Sequence, residues 1–168
     1  MKSRVDRWLL EHDNEGEVYT RPRVDKALIQ EVLASFDNAK VFYACLCDNT
    51  DESCLWCYGE ASRRIIEGRF WQNREGGFFH FILSKQRRKP GQGNAPVTVR
   101  YGLRGDEILE VDPRELLTVA DAVAAFHAFY DGTTIPRGLE AVANGYLFRS
   151  MTLKEVPRDP NDRRLHAR

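Results

Sequence analysis

The hydrophobic positions of this chain change period along its length, and the changes mark out its elements. Between Val24 and Phe36, the residues Leu28, Ile29, Val32, Leu33 and Phe36 recur at helical spacing, while Lys26, Gln30 and Glu31 fall largely on the other face. This predicts a first amphipathic helix. Pro22 can sit in its opening turn, where a missing N–H costs nothing, and Asp37-Asn38 ends it. Val41 to Cys47 is a run of strand formers too short for an ordinary helix, so it predicts a largely buried strand. An acidic turn follows, Asp48 to Ser53, and Cys54 to Gly59 returns, which makes a hairpin.

The stretch from Phe78 to Leu139 carries the densest pattern, and the rest of the chain is read around it. It opens with the apolar run Phe78 to Leu83, in which His80 points to the sheet face opposite Phe79 and Phe81. A basic break rich in Gly and Pro follows, Lys85 to Pro96. Then Val97, Val99 and Tyr101 alternate with Thr98 and Arg100, and Ile108, Leu109 and Val111 form a partner strand after the turn at Gly105-Asp106. Asp112-Pro113 stops that strand. Val119, Ala122, Val123, Phe126, Phe129 and Tyr130 make one continuous helical stripe. Thr118 followed by Asp121 has the form of a capping box, and Gly132 is placed to end the helix. The expectation is three strands, a turn and one helix covering a face of the sheet.

Other segments are plainer. Arg4 to Glu11 reads as an edge strand, and Asp13 to Gly16 as a turn. Arg63 to Asn73 fits either another strand or one turn of helix, and Tyr146-Leu147-Phe148 fits a short strand or helix. Pro157 to Arg168 is charged, holds two prolines and lacks apolar periodicity, as a mobile tail would. Together these predict an α+β fold: one domain, a mostly antiparallel sheet of five to six strands and two main amphipathic helices. The domain is expected over residues 1–145, with a partly mobile C-terminal extension over 146–168.

Composition narrows the function classes. The chain has 168 residues, enough for one domain with a real core. Lys plus Arg and Asp plus Glu both number 25, so the formal net charge is zero. A dedicated nucleic-acid or membrane-surface protein would carry a stronger field, so neither partner is expected. Trp8-Leu9-Leu10 is too short and too closely flanked by charge for a secretory core. The expectation is a cytoplasmic protein with reduced cysteines.

Those cysteines are the sharpest chemical pattern. Cys45, Cys47, Cys54 and Cys57 could ligate zinc as four thiolates, because two closely spaced thiolate pairs suit a tetrahedral ion. Leu55, Trp56 and Tyr58 stand where a zinc knuckle usually has small or polar residues, so the competing reading is a hairpin with cysteines as small buried hydrophobes. A zinc-stabilised nucleic-acid-binding module using the cysteines and the basic cluster Lys85, Arg87, Arg88 and Lys89 is the alternative function. The histidines His12, His80, His127 and His166 form no metal-binding or catalytic spacing, and nucleophile-elbow and phosphate-loop motifs are absent. His80 and Glu60 are the best candidates for an enzyme. No catalytic residue, metal or cofactor is assigned. The acidic turn residues Asp48, Asp51 and Glu52, beside Trp56 and Trp71, suit a contact surface: aromatic anchors ringed by carboxylates cover a basic partner well.

A further pattern runs through Glu17-Val18-Tyr19-Thr20 leading into Val24 to Phe36, then Gly76-Gly77 before an aromatic strand. Val97 to Tyr101 precedes Gly105, Val111-Asp112-Pro113 precedes the second helix, and Asp131 to Glu140 contains Pro136. Over Arg4 to Val142 this arrangement resembles immunity protein family one of bacterial polymorphic toxin systems. The chain departs from it at Ala141-Val142, where that family often has Trp, and in its longer basic loop and tail. The resemblance implies a cytoplasmic α+β protein that is no enzyme. It would bind and neutralise a cognate toxin domain, possibly a deaminase or other nucleic-acid-targeting toxin, by occluding its active site. Such a protein serves bacterial competition by protein–protein interaction, without direct nucleic-acid or membrane contact.

Overall fold

The computed structural model describes residues 7–15, 17–21, 23–37, 41–50, 52–73, 77–86, 95–101, 107–143, 146–148 and 153. The elements in chain order are β1 (Trp8–Asn14), β2 (Glu17–Arg21), α1 (Lys26–Ala34), β3 (Tyr43–Asp48), β4 (Ser53–Gly59), β5 (Arg64–Asn73), β6 (Gly77–Lys85), β7 (Val97–Tyr101), β8 (Glu107–Val111), a short 3-10 helix (Pro113–Glu115), α2 (Val119–Asp131), β9 (Leu139–Ala143) and β10 (Tyr146–Phe148). Eight strands form one sheet in the order β10-β9-β6-β5-β4-β3-β1-β2, and β7 and β8 form a separate pair. Every neighbouring pair is antiparallel. The fold is α+β in a single domain with two helices, as the pattern predicts. Among the described residues no helix is long and apolar enough to cross a membrane.

The sheet is larger than the five or six strands expected. The ambiguous segment 63–73 is the ten-residue strand β5, in the middle of the sheet. β1 is not an edge, because β2 pairs outside it, and β9 takes the free side of β6 through Ile82 opposite Val142. With β9 there, β7 and β8 pair only with each other, so the three expected strands are split between two sheets. Tyr146–Phe148 is a strand of the main sheet, and residues 154–168 lie outside the described residues.

Alternation along the strands sends one set of side chains under the helices. Leu10, Leu46, Leu55, Ile66, Phe70 and Phe81 meet Ile29 and Leu33 of α1 and Phe126 and Phe129 of α2 in one buried cluster. Gly68 lies at its centre, directly opposite Phe81. A Cβ at Gly68 would sit 2.0 Å from the Phe81 ring, and that ring is stacked on Phe70 at 5.1 Å. The glycine makes room for an aromatic ring that covers the gap it leaves.

Both helices are stopped by local chemistry. Asp25 accepts from the Leu28 N–H at 2.8 Å, so α1 begins at Lys26, later than the periodicity suggests. Its far end meets the fully buried Arg64, which donates to the Leu33 carbonyl at 3.2 Å and lies over Phe36 at 4.2 Å. A cation at a helix C-terminus opposes the free carbonyl dipoles, although desolvation lowers the Arg64 pKa. The predicted capping box of α2 is present. Asp121 N–H donates to Thr118 Oγ1 at 3.2 Å, and Thr118 N–H donates to Asp121 at 2.9 Å. Gly132 ends the helix at φ 67°, where a Cβ would be strained.

The opposite sheet face is covered only in part. β7 and β8 lay Val99 and Val111 against Ile65, with Tyr58, Leu109 and Leu116 packed around them. The 3-10 helix holds Arg114 between Asp112 at 2.7 Å and the buried Glu140 at 3.3 Å. Among the described residues, these elements leave the middle of the face open.

Two outcomes follow. Gly68→Ala should lower stability by about 1–3 kcal/mol, because the stacked Phe81 has nowhere to retreat. A lower urea midpoint at unchanged slope would register it. Burial pushes the Asp121 carboxyl up, but the Thr118 N–H, the Thr118 hydroxyl and Lys85 outweigh it and hold it below its ordinary 3.8. The folded pKa is therefore the lower one, so the stabilisation is fully present above the unfolded value of about 3.8 and is lost as pH falls from there through the folded pKa. Asp121→Asn should cost about 0.5–2 kcal/mol at pH 7, with the gap to wild type closing under acid denaturation.

Candidate functional site

The uncovered part of the sheet holds a pocket of about 470 Å³ lined by Phe42, Tyr43, Trp56, Tyr58, Glu67, Arg69 and His80. Apart from Phe42, which directly precedes β3, its residues come from neighbouring strands in register. Tyr43 stands opposite Tyr58, Trp56 opposite Glu67, and Arg69 opposite His80. Alternation puts all of these on the side away from the helices. His80 therefore points where the sequence predicts, away from Phe79 and Phe81, which are buried in the core.

The polar groups are tied to one another. Glu67 accepts a hydrogen bond from the Tyr58 hydroxyl and meets His80 Nε2 at 3.2 Å. The Arg69 guanidinium lies over the Trp56 ring at 5.0 Å. The floor is thus aromatic, with an acid, an imidazole and a guanidinium at its rim. Such a surface accepts a planar or cationic group by stacking and by contact with the Glu67 carboxylate. The described lining supplies no Ser, Thr, Cys or Lys nucleophile. His80 meets Glu67 rather than Glu60, whose carboxylate is held by Arg63 at 2.5 Å.

The predicted contact residues divide. Trp56 is half-buried and lines the pocket. Glu52 is exposed at the hairpin tip, with φ 56°. Asp48 is not a surface carboxylate: it is fully buried, ion-paired to Arg7 at 2.9 Å and bonded to the Thr50 N–H and hydroxyl. It terminates β3 and fixes the turn. Asp51 lies outside the described residues, and so does the side chain of Trp71, whose backbone belongs to β5. The basic cluster is outside them beyond Lys85, which pairs with Asp121 at 3.5 Å. Sequence reasoning missed Phe42, Tyr43, Tyr58, Glu67 and Arg69. The signal was the alternation Trp56, Tyr58 and Glu67, Arg69, which means nothing until β5 is known to be a strand.

The four cysteines do not converge. Cys45, Cys47 and Cys54 share the open face, while Cys57 stands opposite Ala44 and is buried under the helices. Period-two alternation separates Cys54 from Cys57, which are three apart, so a four-thiolate site is corrected to three sulfurs on one side. The expectation of reduced thiols is also corrected at one pair, because Cys47 and Cys54 form a disulfide across β3 and β4 with Cα atoms 4.2 Å apart. Cys45 and Cys57 are free and buried, as the small-hydrophobe reading has it. Burial pushes both thiols up to about 12, and Cys45 also bonds Tyr43.

Of the other histidines, His12 is buried with Nδ1 3.1 Å from the Asp13 carbonyl, and its ring stacks on Tyr19. His127 meets the Lys26 carbonyl at 3.1 Å and joins the two helices. Both are structural.

With pKa values near 12, only about one thiol in ten thousand is ionised at pH 8. Iodoacetamide at pH 8 should therefore leave Cys45 and Cys57 unlabelled in the native protein and label both in 8 M urea, about the strongest urea in general use. Peptide mass spectrometry reads this, and rapid native labelling of Cys57 would contradict the assigned strand register. No protein-family model, curated protein or solved structure matches this chain.

Proposed function

We propose that this protein is an immunity protein, one that neutralises a cognate bacterial toxin domain by binding it and occluding its active site in the cytoplasm of the producing cell. The observation that carries the reading is the aromatic cleft on the open sheet face. Phe42, Tyr43, Trp56 and Tyr58 offer rigid, amphipathic contact area with little side-chain entropy to lose. Glu67 and Arg69 at the rim give orientation and discrimination. Central pockets of this composition are where binding energy concentrates at protein interfaces, and an Arg or aromatic side chain of the partner is the matching anchor. A stable complex needs about 800 Å² on each side, so neighbouring positions on the same face, and exposed Glu52 at the hairpin tip, would supply the rim. The sequence pattern shared with immunity proteins supports the same role. In this reading the chain performs no turnover of its own.

The test is coexpression with a toxin domain taken from an adjacent reading frame. Growth should be restored by the wild-type protein. Trp56→Ala should weaken the complex by about 2 kcal/mol or more, roughly thirtyfold in Kd, with unchanged circular dichroism and thermal midpoint. Equal killing with and without the protein would refute the reading. Full protection by Trp56→Ala together with loss by Glu52→Lys would move the contact to the acidic turn.

A further inference from the structure

The sulfurs of Cys45, Cys47 and Cys54 all lie within 4.8 Å of one another, and those of Cys45 and Cys47 are 3.3 Å apart. Register makes this triangle. Cys45 and Cys47 are two apart on β3 and face the same side, and Cys54 is the direct partner of Cys47 on β4. Three metal–thiolate bonds of about 2.3 Å around one ion hold their sulfurs roughly 4 Å apart; with the Cys47–Cys54 bond reduced, the side chains need only spread from their present separations, since all three already share one face. Glu11 stands opposite Cys45 and Arg69 opposite Cys54 on the same face. One acid and one base therefore border the group.

We propose that in the reduced chain Cys45, Cys47 and Cys54 bind a divalent d10 cation of the zinc class, with the fourth position left to water and Cys57 taking no part. Three thiols release three protons as the dication binds, leaving a group of charge −1 beside the Arg69 guanidinium. An all-sulfur ligand set selects thiophilic ions over magnesium or calcium. The disulfide is the competing state. Exchange with glutathione disulfide converts the Cys47 and Cys54 thiols to the Cys47–Cys54 bond and yields two glutathione thiols, which removes two of the three ligands. The ion and the disulfide therefore exclude one another.

The test uses the full chain in a phosphine reductant, titrated with Cd(II) and, by competition, with Zn(II). The reduced protein should take up about one Cd(II) with thiolate-to-metal charge-transfer absorption, and protein oxidised by glutathione disulfide should take up none. Cys45→Ala, Cys47→Ala and Cys54→Ala should each weaken binding by about tenfold or more, while Cys57→Ala leaves it unchanged. Absence of the band in the reduced protein overturns the proposal, and so does equal loss in Cys57→Ala, which would restore the four-cysteine set. If the cysteine variants fail to fold, the comparison of reduced with oxidised wild-type protein decides alone.

Discussion

The register of β5 against β6 is the constraint on which the rest depends, and it is held by Phe81 lying over Gly68 and against Phe70. A slip of one residue would turn every side chain of a strand to the other face. At this position a slip would also set a side chain where only hydrogen fits. β4 is paired to β5, and β3 to β4, so the same choice passes down the sheet. It decides that Leu55, Cys57 and Ile66 enter the core, and that Trp56, Glu67 and Arg69 do not.

Two faces with different fates follow from that choice. The helix side is closed by α1 and α2, and its few polar groups serve the closure. Arg64 meets the end of α1, and Asp48 holds both Arg7 and its own turn. Burying charges like these is costly unless they are paired or bonded, and each has at least one such contact. The far side is covered at its margins, by β7 and β8 near Ile65 and by Arg114 against Glu140. Four aromatic residues and three polar ones remain at the centre. Among the described residues these side chains are only partly buried, so apolar area on this face remains open to further burial.

Much of this fold could be read before any coordinates, and the reason differs from element to element. α2 was legible to its caps because the stripe, the Thr118–Asp121 pair and Gly132 all agree. The hairpin of β3 and β4 was legible because strand formers flank a polar turn. β5 was not, since Ile65, Ile66, Phe70 and Trp71 satisfy either period over so short a run. Leaving β5 undecided hid the pocket, for two of its three polar lining residues, Glu67 and Arg69, sit there. Trp56 could be found because an aromatic residue beside an acidic turn is conspicuous. Asp48 was misread for the same reason: sequence shows a carboxylate near a turn but not the Arg7 side chain that reaches it from just before β1, forty-one positions away. The cysteines show the limit most clearly. Spacing suggests two thiolate pairs, whereas alternation leaves three sulfurs together and sends the fourth into the core.

The sulfur triangle and the pocket are neighbouring parts of one surface. Cys45 stands opposite Trp56 and bonds Tyr43, and both aromatic residues line the pocket. Arg69, beside Cys54 in the pairing, lies over Trp56. An ion or a disulfide at the sulfurs would therefore act on the residues that line the pocket. Any such coupling must be reciprocal, because an ion that changes the affinity for a partner has its own affinity changed by the same factor. The central strands β3 and β4 are too well paired to move as a whole, so the effect would pass through the side chains of Tyr43, Trp56 and Arg69. These are the residues whose orientation sets the shape of the cleft.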